Sequence, residues 1–342
     1  MKTRTMFSHI RKAQACRMKP DRPGVATTVL LLGFLALLGS CAVLPGIGPG
    51  QGTASSPGRL STLRIPGGPR MFWTVSGGPN GRGTLYVQGT LHLGRDELFP
   101  LDKKVLDLMA SSDVILAQLS PGDLARSREL VLDRMAEAVL EGGKTLEDLI
   151  PAADAAIAAE LMGRENFRRL AIFRPWVAYS AFELFIAGKL ALDPEKGVDA
   201  ALYSLAARSG KVVHGLEDPE FPLDVLTGPA LNIQVLLLRN AIREYKDHPE
   251  ALKRMYEAYR DGSHRNLANE LEASLKRSLA FAPELSAFND ALLKKRNTEW
   301  VKVFDSYLRK GKSVFVFVEA AHMFGPGNLL ERLSGMGYKI EP

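Results

Sequence analysis

The apolar and polar positions of the chain divide it into three parts. Residues 25–38 form an apolar run that follows a basic stretch. Residues 42–69 are rich in Gly, Pro and Ser and carry almost no charge, so they cannot bury enough apolar surface to fold. From Met71 onward, short apolar runs alternate with segments in which apolar residues recur every three or four positions. The pattern predicts one folded domain over residues 70–342 behind a flexible tether over residues 41–69.

Short apolar runs in the folded part predict strands. Two of them flank the turn Gly77-Gly78-Pro79-Asn80-Gly81, which is typical of a β-hairpin. Three others are DVILAQL and SVFVFV, whose apolar runs are expected for strands buried on both faces, and KVVHGL, which ends at Glu217-Asp218-Pro219. The predicted strands are residues 71–76, 83–90, 113–119, 211–216, 313–318 and 338–341.

Helical periodicity fills the segments between these strands. It predicts helices over residues 101–111, from residue 120 to about residue 192, and over 198–209, 223–310 and 328–334. Thr145-Leu146-Glu147-Asp148 resembles a capping box, and Arg174-Pro175-Trp176 marks a new helix start. Buried strands that alternate with helices predict an α/β fold with a central, largely parallel sheet, an N-terminal hairpin and two helical inserts.

The N-terminal forty residues have the three parts of a bacterial secretory signal. Basic residues precede the apolar run, and Leu38-Gly39-Ser40-Cys41 fits a lipobox, in which the Cys41 sulfur carries a lipid. We therefore expect residues 1–40 to be a signal peptide and the product to be a lipoprotein in the cell envelope, anchored to a membrane outside the cytoplasm. The alternatives are an uncleaved N-terminal anchor, and a start at Met18 that would give a signal of ordinary size.

Removal of that segment changes the charge balance. Seven of the 44 Lys and Arg and one of the 38 Asp and Glu precede Cys41, which leaves 37 of each. The high pI is therefore no indication of nucleic-acid binding. Cys16 is also removed, so no disulfide can form within one mature chain.

Polar side chains follow four of the predicted strands. Gly89-Thr90-Leu91-His92 ends the hairpin, and Gln118, Glu217 and His322 follow later strands. In open α/β sheets, ligands bind outside the carboxyl ends of the strands. Two imidazoles and a carboxylate could bind a divalent metal that activates water for hydrolysis. A single His at a strand end, however, is more often structural.

The remaining histidines have structural explanations. His214 lies inside a predicted strand, which favours a core or flanking role. His248 and His264 lie in polar helical surroundings, where we expect solvated side chains.

The residues around the strand ends resemble the TraB/GumN family. Phe72-Trp73 and the run LYVQGTLHLG at 85–94 look like the opening of that family, whose mark is Gly-Thr-x-His after a strand. The C-terminal part also resembles the end of the family sequences, in Arg296-Asn297-x-x-Trp300, VFVFV, Ala-Ala-His322 and Gly325-Pro326-Gly327. The resemblance covers about residues 71–342.

This resemblance implies a fold shared with the Tiki metalloproteases and the erythromycin-esterase/ChaN-like group. It implies metal binding by His92, His322 and Glu217, with Mn, Co or Zn as the candidate ions. Arg296 matches a family arginine that fixes a carboxylate or pairs with Glu217. The predicted substrate-binding residues are Gly89, Thr90 and Gln118.

Two positions depart from the family pattern. Gln118 replaces a Glu at the end of the second strand, and an amide is a poor metal ligand that cannot act as a general base. Glu319 replaces the Gly of the last motif, three residues before His322. Because residues i and i+3 of a strand point to opposite faces, Glu319 reaches the pocket only if the chain turns at Ala320-Ala321.

Two functions follow. The first is a membrane-held, metal-dependent hydrolase of a peptide or protein, in which Glu319, Glu217 and Arg296 are catalytic candidates and Glu319 is the base. The second is a catalytically degenerate binding lipoprotein with the same fold. Similarity to the ChaN-like group adds haem or iron capture as a weaker alternative, because fold does not fix function.

Overall fold

The computed structural model describes residues 69–78 and 82–342. The predicted signal peptide, its lipidation site Cys41 and nearly all of the predicted tether lie outside the described residues.

A six-stranded mixed sheet forms the centre of the domain, in the order β4-β3-β5-β2-β1-β6. Its strands are β1 Phe72–Gly77, β2 Thr84–Thr90, β3 Val114–Ala117, β4 Val213–Gly215, β5 Ser313–Glu319 and β6 Tyr338–Glu341. The four strands β4, β3, β5 and β2 are parallel, so their carboxyl ends lie at one edge. β1 forms the predicted antiparallel hairpin with β2 and also pairs with β6. The predicted α/β class with a largely parallel sheet is confirmed.

Helices occupy the connections, as the periodicity predicts. They are α1 Lys103–Ser111, α2 Pro121–Ala136, α3 Ala152–Met162, α4 Arg164–Leu170, α5 Pro175–Lys189, α6 Val198–Arg208, α7 Glu220–Thr227, α8 Leu231–Asp247, α9 Ala251–Arg260, α10 His264–Phe281, α11 Ser286–Asn289, α12 Arg296–Arg309 and α13 Leu329–Gly335. A π-helix at Asp290–Lys295 joins α11 to α12.

The buried apolar side chains form two main clusters. One surrounds the sheet and includes Phe315 and Phe317 of β5 together with Trp300 of α12. The other, with Trp176 and Phe182 of α5, belongs to the helices inserted between β3 and β4 and to the start of the second insert. The first cluster therefore packs around the sheet, and the second packs the inserted helices against one another.

Local capping signals fix several helix starts. Ser120 and Asp123 form a capping box at α2, and the predicted box of Thr145 and Asp148 closes a short 3₁₀ turn. Pro175 begins α5 at the first position, where a missing N–H costs nothing. α1 starts two residues later than predicted because the Asp102 side chain accepts from the Lys104 amide at 2.8 Å.

Among the described residues, no single helix combines the length and apolar composition needed to cross a membrane. Only α7 and α8, which meet at an 88° bend, satisfy that test when taken together.

Candidate functional site

His92 lies just beyond the end of β2 and contacts two carboxylates. Its Nδ1 lies 2.9 Å from Asp199 Oδ2, and its Nε2 lies 3.6 Å from Glu319 Oε2. Because a carboxylate can only accept, His92 Nδ1 carries the proton that is donated to Asp199. Asp199 is nearly buried, so this hydrogen bond fixes the orientation of the imidazole from behind.

The start of α6 places Asp199 under His92. The Val198 amide donates to the Leu91 carbonyl at 2.9 Å, which joins the helix start to the residues after β2. Gly197 allows this close approach, since a Cβ there would lie 2.6 Å from the His92 carbonyl oxygen. Two segments about a hundred residues apart are thereby held in contact.

Glu319 ends β5 beside β2, where its Cα pairs in register with Thr90. A 3₁₀ turn, Ala320–Met323, follows at once, which is the turn required for both Glu319 and His322 to face the pocket. The Glu319 side chain is 38% exposed, so this carboxylate connects His92 to solvent.

Opposing effects set the charge on this pair. Burial alone would lower the pKa of His92, but Asp199, and then Glu319, raise it to about 10. Burial would raise the pKa of Glu319, but the attraction of the nearby His92 lowers it to about 2. At neutral pH the group therefore contains an imidazolium between two carboxylates.

His322 lies in a different environment and is fully buried. Its Nδ1 lies 2.7 Å from Asn297 Oδ1, and its Nε2 lies 3.4 Å from the Gln118 amide nitrogen. The Trp300 ring is tilted against the imidazole at a centroid distance of 4.4 Å. Burial, and then the positive charge of Arg296, hold the pKa of His322 well below its usual value, so this imidazole stays neutral.

Glu217 and Arg296 form a buried bidentate ion pair. Arg296 Nε and Nη2 donate to the two Glu217 oxygens at 2.8 and 2.5 Å, and the guanidinium lies over Trp300. Burial raises the pKa of Glu217, against the attraction of Arg296. Both Glu217 oxygens are used by Arg296 here, so metal ligation by Glu217 stays a prediction.

Two of the predicted substrate-binding residues, Gly89 and Thr90, lie at the end of β2, and the third, Gln118, directly follows β3. The Gly89 carbonyl accepts from the Tyr259 hydroxyl at 2.8 Å, and a Cβ on Gly89 would lie 3.2 Å from Ala320. Thr90 is fully buried, and its hydroxyl has no hydrogen-bond partner. An unsatisfied hydroxyl beside Glu319 is unusual in a folded core and fits a position where a ligand or water binds.

Comparison with known proteins places this geometry in context. The sequence matches the TraB/PrgY/gumN family over residues 71–342. The chain belongs to this family. It is also similar to a protein of Treponema pallidum (strain Nichols) described as "Uncharacterized protein", with 26% identity over 297 residues, covering 82% of this chain and 84% of the relative. No solved structure matches the chain significantly.

Two residues of this family member were missed as site residues. Asp199 and Asn297 each accept the Nδ1 proton of one histidine. Both lie in segments that resemble the family, Gly197-Val198-Asp199 and Arg296-Asn297-x-x-Trp300, and that resemblance was the signal that could have identified them.

Helix α5 contributes a further acid near the site. Burial, and then the charge of Glu244, raise the pKa of Glu183 to about 7. Tyr179, one turn earlier on the same face, feels the charges of both Glu183 and Glu319, which raise its pKa further above the normal value after burial. Helix α5 therefore carries a carboxyl whose pKa lies near neutrality.

The other histidines differ partly from expectation. His214 is exposed on the edge strand β4, and His248 is exposed as predicted. His264 is half-buried: its ring packs on Trp73 at 4.6 Å, and burial lowers its pKa. The expectation of a solvated His264 was wrong because the start of α10 is packed against β1.

The residues near His92 were tested for their fit to a divalent ion. No group of three or more His, Cys, Asp or Glu side chains that could hold a metal occurs within residues 69–78 and 82–342 as arranged. The separation of 3.6 Å between His92 Nε2 and Glu319 Oε2 is nevertheless long for a hydrogen bond. It matches two ligands that each lie about 2.0–2.1 Å from one ion. One imidazole nitrogen and one carboxylate oxygen are donor types that divalent ions accept.

Proposed function

We propose that this TraB/PrgY/gumN family member is a divalent-metal-dependent hydrolase that acts on a peptide or protein. His92, His322 and Glu319 would bind the ion, with Mn, Co or Zn as candidates. Glu217, which Arg296 engages, is replaced as ligand by Glu319 in this proposal.

The hydrogen bonds behind the two imidazoles carry the proposal. Asp199 accepts from His92 Nδ1, and Asn297 Oδ1 accepts from His322 Nδ1. Metal-binding histidines usually donate their second ring nitrogen to such an acceptor, which fixes the ring and leaves the other nitrogen to bind the ion. Two strand-end histidines held in the same way are difficult to explain as independent structural residues.

The charge balance gives further support. Asp199 and Glu319 place two negative charges beside His92, and a proton on that imidazole neutralises only one. A divalent ion in place of the proton would balance both. When bound, such an ion supplies Lewis-acid polarisation of a carbonyl and a water of lowered pKa.

The protein's own residues orient the His92 ring and line the site. Asp199 holds the His92 ring, and the ion pair of Glu217 with Arg296 closes the floor of the site beside Trp300. Glu319, with a pKa of about 2, is a weak base and serves as a ligand.

Metal content tests the proposal directly. The full chain should purify with, or take up, about one divalent ion, and added Mn, Co or Zn should raise its melting temperature. His92→Ala with His322→Ala should abolish both effects. The matched control is His214→Ala with His248→Ala, two exposed histidines, which should change neither. A wild-type chain that binds no ion and gains no stability contradicts the hydrolase function.

A binding function without catalysis is the second candidate, and one contact favours it. The Gln118 amide nitrogen lies 3.4 Å from His322 Nε2, the atom that the ion would use. Peptide cleavage by wild type and Gln118→Glu separates the candidates. Activity that appears only in Gln118→Glu supports the degenerate binding protein, whereas activity in wild type contradicts it.

The place of action is a separate part of the proposal. We propose that Cys41, outside the described residues, carries a lipid that holds the domain on a membrane beyond the cytoplasm. Labelled palmitate should enter the wild-type chain and be lost in Cys41→Ser, with Cys16→Ser as the matched control. Equal labelling of wild type and Cys41→Ser contradicts the anchor.

A further inference from the structure

We infer that Asn297 is a positioning residue that fixes the tautomer of His322, with the direction of the hydrogen bonds set by the backbone carbonyl of Gly327. This assignment is independent of the proposed metal, because the tautomer exists and can be measured without it.

The direction of the hydrogen bonds follows from one fixed acceptor. The Gly327 carbonyl can only accept, so the amide group that lies 3.3 Å from it must be the NH₂ of Asn297. Asn297 Oδ1 is thereby turned to His322 and accepts the Nδ1 proton at 2.7 Å. The Gln118 amide nitrogen, which can only donate, lies 3.4 Å from His322 Nε2. His322 Nε2 therefore presents a lone pair to Gln118, and the single ring proton is on Nδ1.

A π-helix, Asp290–Lys295, ends directly before Arg296 and Asn297 at the start of α12. Neighbouring residues of an α-helix point about 100° apart, yet Arg296 and Asn297 are both buried and both reach strand-end partners. π-helical turns are rare and are often found at functional sites. Here the Leu292 carbonyl within Asp290–Lys295 accepts from Arg296 Nη1 at 3.1 Å, which anchors the helix start.

The Trp300 ring restrains the imidazole as well. It contacts the His322 ring at 4.4 Å, while the Arg296 guanidinium lies 4.9 Å from the same indole. Because Trp300 is itself buried among the sheet residues, rotation of His322 would require this packing to open. The ring is therefore held in one orientation, and Asn297 selects which nitrogen carries the proton.

Long-range ¹H–¹⁵N correlation of the metal-free, ¹⁵N-labelled full chain at neutral pH tests the assignment. Wild type should show His322 as a single Nδ1–H tautomer. Asn297→Asp retains an acceptor at this position, so the Nδ1 of His322 should stay protonated. Asn297→Leu has a similar size but no acceptor, so it should shift His322 to the Nε2–H form. Asn232→Leu, an exposed position on α8, is the matched control and should leave the spectrum unchanged.

Two results would overturn the assignment. One is an Nε2–H tautomer of His322 in the wild-type chain. This result does not depend on whether any variant folds. The other is an unchanged Nδ1–H pattern in a folded Asn297→Leu chain. Neither result bears on metal uptake, so failure of this assignment and failure of the metal proposal can be told apart.

Discussion

His92 and His322 follow neighbouring parallel strands, β2 and β5, yet their surroundings have opposite electrostatic effects. His92 lies between Asp199 and Glu319, which raise its pKa to about 10. His322 lies among Asn297, Gln118, Trp300 and Arg296, and its pKa is held well below normal. One imidazole is charged at neutral pH, and the other is neutral.

The difference shows that strand topology and protonation are set by different parts of the fold. The ends of β2 and β5 determine where the rings are. Asp199 at the start of α6 and Arg296 at the start of α12 act on their charge in opposite directions. The carboxylates of Asp199 and Glu319 outweigh burial at His92, whereas burial and the Arg296 guanidinium dominate at His322.

Of the substitutions considered, removal of Arg296 should change stability most, and it also removes one cause of the difference between His92 and His322. Arg296→Met leaves Glu217 as a buried carboxylate without a partner and removes the cation that lowers the pKa of His322. We expect the free energy of unfolding to fall by roughly 3–5 kcal/mol, measured by urea denaturation. The double variant with Glu217→Gln should recover part of that loss. A loss below about 1 kcal/mol in the single variant would contradict the buried pair.

Substitution of Asp199 should make His92 resemble His322. The folded-state pKa of His92 is raised, so its contribution to stability is complete below about pH 6.5 and is lost as the pH rises through about 10. Asp199→Asn should remove that contribution, which is on the order of 2–3 kcal/mol at pH 6, and flatten the decline. Exposed Asp133→Asn is the control for unfolding curves recorded between pH 6 and 10. An unchanged decline in Asp199→Asn would show that Asp199 does not charge His92.

Glu183 on helix α5 tests whether burial raises the pKa of a carboxyl in the inserted helices. Its folded-state pKa is about 7, so ionisation costs stability as the pH rises from about 4.5 through 7. Glu183→Gln should therefore stabilise the chain at pH 8 by about 2 kcal/mol, after allowance for partial exposure, and have little effect at pH 4.5. Melting temperatures at the two pH values measure this. Equal effects at both would contradict a raised pKa.

Glu319 should give the smallest change in stability. Its side chain is 38% exposed, so solvent screens its attraction to His92. Glu319→Gln should change the free energy of unfolding by less than about 1 kcal/mol and lower the pKa of His92 less than Asp199→Asn does. NMR titration of His92 in both variants ranks the two carboxylates. A larger shift in Glu319→Gln would reverse the assigned roles.

Local patterns in the sequence predicted much of the fold. The last strand was predicted at its observed bounds, Tyr338–Glu341, and the capping sequence at Thr145 and the Pro175 helix start were both found. Each of these depends on residues within a few positions of one another. The strand-end positions of His92, Gln118 and His322 also followed from alternating strands and helices.

The partners of these residues could not be predicted in the same way. Asp199 meets His92 across 107 positions, and Gln118 meets His322 across 204. No local pattern shows which polar residue of a helix will lie behind an imidazole, because this depends on how α6 and α12 pack on the sheet. The pair of Arg296 with Glu217 is an exception, because the family resemblance offered it as one role of Arg296, and metal ligation by Glu217 stays a prediction.

Counting the protons released on metal binding tests the central claim most directly. Calorimetric titration of the full chain with Zn at pH 7.5, repeated in buffers of different ionisation enthalpy, gives this number. An ion at His92, His322 and Glu319 should displace about one proton, from the charged His92, since His322 is already neutral. Asp199→Asn should release clearly less. Zn binding to wild type without proton release, or no binding at all, would contradict the account.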